Sequence, residues 1–313
     1  MVKLRSQAKF IKYIGVPDFS SLYPCRSAVI LEQPSTPQNG LPVGVYRIYT
    51  SSVLGGRWSD LESTGLVHRP GETLCVDLPA LRGIPLWTTG NMVCNVPAHF
   101  VHCIPDGYDP QDPVDDALKV QNVHHGRDIY IQFFSKSRVD GHNGGLGGAK
   151  YRCMLHGAPG VEAIRIIQSP KVYVGPSVDT YLVLMHFSCF EPQPAAGSAS
   201  IFVCSPNGQV TGSCDLELSG NRCYAISMKR LIGAVPVQAA YVGTVIAVVH
   251  ADVVPLIHTL SDDGLLCSTD HSVPPMKYLP SLHRGDVKRE TAQNLLAVLS
   301  ERAAFRHDTQ EGR

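Results

Sequence analysis

Hydrophobic positions along this chain recur in short runs of β-branched and aromatic residues parted by turn residues, and their period of two predicts strands. The runs Gly44 to Tyr49, Thr73 to Leu78, Asp128 to Phe134, Val161 to Ile167, Thr180 to Phe190, Ala199 to Cys204, Cys214 to Leu218 and Tyr241 to His250 fit this pattern. Two hairpins are expected. In the first, Ile201 to Cys204 and Cys214 to Leu218 flank Ser205-Pro-Asn-Gly208, where Pro presets φ and Asn-Gly accepts positive φ. In the second, Asp263-Gly264 joins an arm from His250 to Leu260 to an arm from Leu265 to His271. That turn sets His258 opposite Thr269 and diagonal to Cys267 and His271, and puts His250 and Asp252 on the same face.

A helical period is convincing only near the end, where Ala292, Leu295, Leu296, Leu299 and Ala303 form one stripe. Asp286 is placed to cap this helix, His307 to Arg313 reads as a frayed tail, and the stripe is expected to pack on a sheet or on another copy of the chain. The expected fold class is mainly β: β-sandwich or jelly-roll-like sheets with one C-terminal amphipathic helix. The glycine-rich stretch Gly141 to Gly148 is the better divider, with Pro192 to Gly197 as a second joint. The expected organisation is a loop-rich mainly-β region over 1–155, a β-sandwich domain over 156–283, and a C-terminal helix and tail over 284–313.

The uncharged run Leu231 to Val249 approaches bilayer length, but Pro236, Gln238 and Thr244 interrupt it. It reads as buried sheet in two pieces parted around Val235 to Ala240, so no membrane partner is expected. Charged residues are 17% of the chain, and Lys plus Arg balance Asp plus Glu at 27 each. A neutral chain has no electrostatic pull toward nucleic acid. The exception is local: Lys3, Arg5, Lys9 and Lys12 could form a basic arm. Ten cysteines include no Cys-x-x-Cys pair, and Lys9 and Lys12 interrupt any secretory h-region, so free, mostly buried thiols in the cytoplasm are expected.

Three places carry candidate chemistry. On the second hairpin, His258, Cys267, His271 and Asp252 offer imidazole, thiolate and carboxylate, a set suited to Zn or Fe. The loop from Asp106 to Asp116 holds five carboxylates, for which Ca²⁺ is the hard cation of choice, but its spacing is not that of an EF-hand and a solvated Asp/Pro loop is the simpler reading. The third is His124-His125-Gly-Arg-Asp128 with the glycine loop that ends at Lys150 and Arg152. Here His125 and His142 are the candidate general acid and base, and Asp128, Lys150 and Arg152 the candidate ligand-binding groups. The loop lacks the Gly-x-x-x-x-Gly-Lys of a P-loop, and Gly-x-Ser-x-Gly and His-Glu-x-x-His are absent from the chain.

These readings lead to two expectations. One is a protein that binds a small polar molecule or carbohydrate, with metal-assisted catalysis by His, Asp and Cys residues as its enzymatic form. The other is a non-catalytic structural or assembly subunit, shell, tail or coat-like, that forms a homo-oligomer through the C-terminal helix.

Overall fold

The computed structural model describes residues 12–23, 25–32, 35, 44–81, 86–107, 129–135, 147–150, 164–187, 196–233, 240–251, 253–263, 267–270 and 285–311. The N-terminal half supplies β1 (Lys12–Pro17), β2 (Cys25–Glu32), β3 (Tyr46–Leu54), β4 (Arg57–Trp58), β5 (Glu62–His68), β6 (Thr73–Leu78), β7 (Leu86–Thr88), β8 (Val93–Val96), β9 (Ala98–Pro105), β10 (Ile129–Ser135) and β11 (Gly147–Lys150). The rest of the chain supplies β12 (Ile164–Val174), β13 (Val178–His186), β14 (Gly197–Cys204), β15 (Val210–Leu218), β16 (Arg222–Ser227), α1 (Met228–Ile232), β17 (Tyr241–His250), β18 (Val254–Ser261), β19 (Cys267–Asp270) and α2 (Gly285–Glu311). The fold is mainly β with a C-terminal helix.

The described strands form four sheets. A central sheet runs β19-β18-β13-β16-β8-β7, and a second runs β12-β17-β14-β15. The third is β1-β9-β3-β4 with β5 added on β3, and the fourth is β11-β10-β2-β6. The central sheet takes β7 and β8 from one half of the chain and pairs β8 with β16 of the other, Cys223 opposite Val96 and Ala225 opposite Cys94.

Layering follows from side-chain alternation. Along β13, Tyr181, Val183 and Met185 enter a core shared with β1, β2, β3, β6 and β9, while Leu182 and Leu184 enter a second core shared with β12, β14, β15 and β17. Every residue of β13 after Val178 is buried. The near-continuous apolar run of this strand is therefore the signature of a sheet covered on both faces. On the far side of the second sheet, Ala292, Leu295 and Leu296 of α2 pack on Ile164, Ile166 and Val248. Leu299 and Ala303 pack on Phe202, Cys204 and Val210. The helical stripe thus covers a sheet of its own chain. The helix begins one residue ahead of Asp286, which puts that residue in the first turn rather than at the cap, and it continues to Glu311 through the stretch expected to fray.

Both hairpins form. Ile201 faces Cys214 across β14 and β15, and the turn closes through Ser205 N donating to Gln209 O and Gly208 N to Ser205 O, with Gly208 at φ 81°. His258 faces Thr269 and Leu260 faces Cys267 across β18 and β19, the register that Asp263-Gly264 dictates. The first arm of this hairpin is shorter than expected, because the chain leaves the second sheet at His250 and enters the central one at Val254. The break turns Ala251 and Val253 into the core between the two sheets, burial that a straight strand would forgo. His250 consequently pairs with Ile164 and Ser198, in a different sheet from His258.

The uncharged run begins in α1, where Leu231 is buried, and then supplies β17, whose Val245, Ala247 and Val249 are core residues. Among the described residues no helix is long and apolar enough to cross a membrane. A Cβ at Gly212 would collide with the carbonyl of Leu231, so glycine there lets α1 lie directly on β15. Cys94, Cys204 and Cys223 are buried free thiols, Cys103 is also buried, and Cys75 is exposed.

Leu184→Ala is expected to cost about 3 kcal/mol in urea unfolding because the site is packed from both faces, whereas exposed Glu217→Gln should shift stability by less than about 0.5 kcal/mol. A Leu184→Ala effect no larger than the Glu217→Gln effect would contradict the two-sided burial of β13.

Candidate functional site

The polar groups of the described residues converge around one end of β13 and β18. Antiparallel pairing places Tyr181 opposite His258. The turn that follows β1, closed by Leu22 N and Tyr23 N donating to Phe19 O, drives Phe19 against both rings. Its centroid lies 5.4 Å from Tyr181 and 5.1 Å from His258, tilted geometries that aromatic quadrupoles favour. The hydroxyls of Tyr23 and Tyr181 share a hydrogen bond of 2.7 Å. Burial pushes both phenols well above their usual range.

Asp179 lies two residues before Tyr181, on the same face of β13. Its carboxylate accepts from Ser227 Oγ at 2.5 Å and from Lys229 N at 2.9 Å. Ser227 is the N-cap of α1, since its Oγ also accepts from Arg230 N at 3.1 Å. Burial raises the Asp179 carboxyl above its ordinary pKa, and the Ser227 and Lys229 hydrogen bonds oppose that rise. The network ends at the surface in Arg230. There the guanidinium lies 3.7 Å over the Trp87 ring, and Nη1 donates to Asn91 O at 3.2 Å. The β7–β8 turn beneath it holds Thr89, Gly90 and Asn91 successively at φ 51°, 62° and 65°. For the β-branched Thr89 this is a strained conformation that its surroundings must impose.

Among the described residues His68, His99, His102 and His186 are also buried, and His250 is half-buried. His102 on β9 is within 2.9 Å of Ser51 Oγ, a nucleophile–base distance, yet both residues are buried. His99 lies 4.0 Å from Asp18. Asp18 in turn accepts from Leu81 N and Ser20 N, which ties three segments together. Burial lowers the His99 pKa, against the pull of Asp18 and of a backbone bond at Pro79. Burial alone pushes His102 and His258 down to about 3. Such imidazoles are neutral packing groups near neutral pH.

Of the expected metal set, His258 sits in the middle of β18 and Cys267 opens β19, whereas Asp252 and His271 lie outside the described residues. Lys150 closes β11 opposite Tyr130. His125, His142, Asp128 and Arg152 lie outside the described residues, as do the four later carboxylates of the acidic loop. The first, Asp106, forms a 2.6 Å ion pair with Arg47 Nε, which holds its carboxyl below the usual range. Among the described residues no three His, Cys, Asp or Glu side chains are grouped to hold a metal ion. The cluster around Tyr181 was not anticipated from sequence. The one legible signal was Ser227 ahead of Met228-Lys-Arg-Leu-Ile, an N-cap before a short helix.

No protein-family model matches the chain, and no curated protein matches it. Among solved structures it is similar to a β-glucuronidase from glycoside hydrolase family 2, at 6% identity and TM-score 0.17, over 83% of this chain and 23% of that one. It is also similar to a putative β-galactosidase from Bacteroides fragilis, at 11% identity and TM-score 0.18, over 82% of this chain and 31% of that one. A third likeness is to the VP2 subviral particle of infectious bursal disease virus, at 11% identity and TM-score 0.11, over 92% and 78% of the two chains. The chain therefore spans about a quarter to a third of the two glycosidase chains. Likenesses at these TM-scores carry no functional argument.

Histidine burial has a definite pH consequence. A folded pKa of about 3 for His102 and His258 lies below the unfolded value, so the unfolded state binds more protons and stability is lost as the pH is lowered. The loss is expected to begin near the ordinary imidazole pKa and to reach, by pH 5, at most about 2 kcal/mol for each residue. Urea unfolding at pH 7 and pH 5 measures it. A flat profile, or a slope that His258→Gln leaves unchanged, would contradict the assignment.

Proposed function

We propose that this chain is a non-catalytic β-layered assembly subunit. The observation that carries the reading is the burial of its described chemistry. Asp179, Tyr181, His99, His102, His186 and His258 are all sealed between sheets, where they pack and hydrogen-bond rather than face a ligand. A catalytic group must reach the atom it acts on, and none of these reaches solvent. The low content of charge and the half-exposed Leu54, Leu86, Tyr173 and Val242 suit a surface that meets other protein. Light scattering after gel filtration of the full chain tests this reading: a mass of two or more copies is expected, and a single-chain mass that persists at high micromolar concentration would overturn it.

A second reading, binding of a small polar molecule or carbohydrate, is favoured by the corner formed by β7, β8 and α1. Arg230 is exposed there, held by Trp87 and Asn91 over a strained turn, and Leu86, the residue before Trp87, is 64% exposed. A rigid guanidinium on an aromatic shelf offers planar donors to hydroxyl or carboxylate oxygens. This reading predicts that glycan-array binding by the native chain disappears in Arg230→Ala with the melting temperature unchanged. Absence of binding by the native chain would remove it.

A further inference from the structure

The turn between β14 and β15 and the far end of α2 hold each other. Leu299 and Ala303 of the helix pack on Phe202, Cys204 and Val210 at the base of the turn. Above them, exposed Arg302 donates from Nη1 to Gly208 O at 3.0 Å. Within the turn Gly208 N donates to Ser205 O at 2.9 Å. The Asn207 side chain accepts at Oδ1 from Ser205 Oγ and, at 3.3 Å, from Gln209 N, and its Nδ2 donates to Gln209 Oε1 at 3.5 Å. Asn207 is exposed, and Gly208 sits at φ 81°.

An asparagine followed by glycine carries a reaction of its own. Gly208 has no Cβ to block the approach of its backbone N to the Asn207 side chain. When that N attacks Cγ of Asn207, the N–Cγ bond forms and the Cγ–Nδ2 bond breaks. The amide proton leaves with Nδ2 as ammonia, and a cyclic imide remains. Water then adds to either imide carbonyl and opens the ring to an aspartyl or an isoaspartyl residue, so water is the only co-reactant and nothing is oxidised or reduced. In the closed turn the Gly208 amide proton is committed to Ser205 O, which opposes the deprotonation that attack requires. The reaction therefore waits on local opening of the turn.

We propose that Asn207-Gly208 is a site of spontaneous deamidation gated by Arg302, and that the isoaspartyl product releases the end of α2. Arg302 gates the reaction because its hydrogen bond to Gly208 O favours the closed turn. The isoaspartyl form routes the main chain through the side-chain Cβ and so lengthens it by one carbon. Gly208 N and Gly208 O then no longer reach Ser205 O and Arg302 together, and the latch cannot close again. The plain aspartyl form keeps the native main-chain path, and its carboxylate still accepts from Gln209 N, so it leaves the latch in place.

The test ages the full chain in mildly alkaline buffer and samples it over time. Peptide mapping by mass spectrometry separates Asn207 from Asn39 and Asn143, which also precede glycine, and hydrogen exchange reads the amides of α2 over 302–311. Native protein should accumulate aspartyl and isoaspartyl forms at Asn207. Arg302→Ala, with a native circular dichroism spectrum, should convert about fivefold faster, the shift that loss of one hydrogen bond makes in an opening equilibrium. Exchange over 302–311 should rise with the isoaspartyl fraction, and should stay at the native level in fresh Asn207→Asp and in aged Asn207→Gln. An Asn207 that stays unmodified overturns the site, and equal rates in native and Arg302→Ala protein overturn the gating. Unchanged exchange in the isoaspartyl chain, or a full rise in fresh Asn207→Asp, overturns the release of α2 through the lengthened main chain.

Discussion

The structure depends on β13 being covered on both faces. A strand whose successive side chains all find apolar partners has no solvent side, so it requires a layer above and a layer below. The second sheet supplies one layer, and the third and fourth sheets supply the other. The second sheet then has its own outer face to cover, and α2 is the element that covers it. Each layer exists because the one inside it would otherwise expose apolar surface.

This stacking also decides the fate of the chemistry-bearing residues. Histidine on a one-sided sheet would alternate to solvent, but His258 on β18 and His102 on β9 belong to strands in the interior of the stack, and both are buried. Desolvation then holds them neutral. Asp179 survives in the same environment because Ser227 and Lys229 satisfy its oxygens. The link from Asp179 through Ser227 to Arg230 therefore joins the buried strand to the Trp87 corner, so the surface geometry there is set from inside the core.

Much of the fold was legible locally. Thr73 to Leu78 and Tyr241 to His250 were read with the bounds they adopt, and the Asp263-Gly264 turn set the register of His258 against Thr269. These succeed because period, turn chemistry and register are properties of neighbouring residues. The pairing of β8 with β16 and the meeting of Phe19, Tyr181 and His258 were not legible, since both join segments far apart in the chain. His250 was misplaced for a related reason: only the positions of two sheets reveal that the chain must change layers at Ala251. Polarity marked His258 as a candidate ligand, whereas its burial was a property of the stack and left no local trace.

The pairing of β8 with β16 has a consequence for biosynthesis. A chain emerging from the ribosome completes β7 and β8 well over a hundred residues before Arg222–Ser227 exists to receive them. Until then the inner edge of β8 carries unsatisfied amides and carbonyls, and Val93, Cys94 and Val96 lack the partners that later bury them. Non-local closure of this kind is slow, because loop entropy must be overcome before the contact rewards it. The nascent N-terminal half thus holds an adhesive strand edge for the whole interval, and the time spent on synthesis, rather than the final stability, sets the window in which two such chains can pair wrongly.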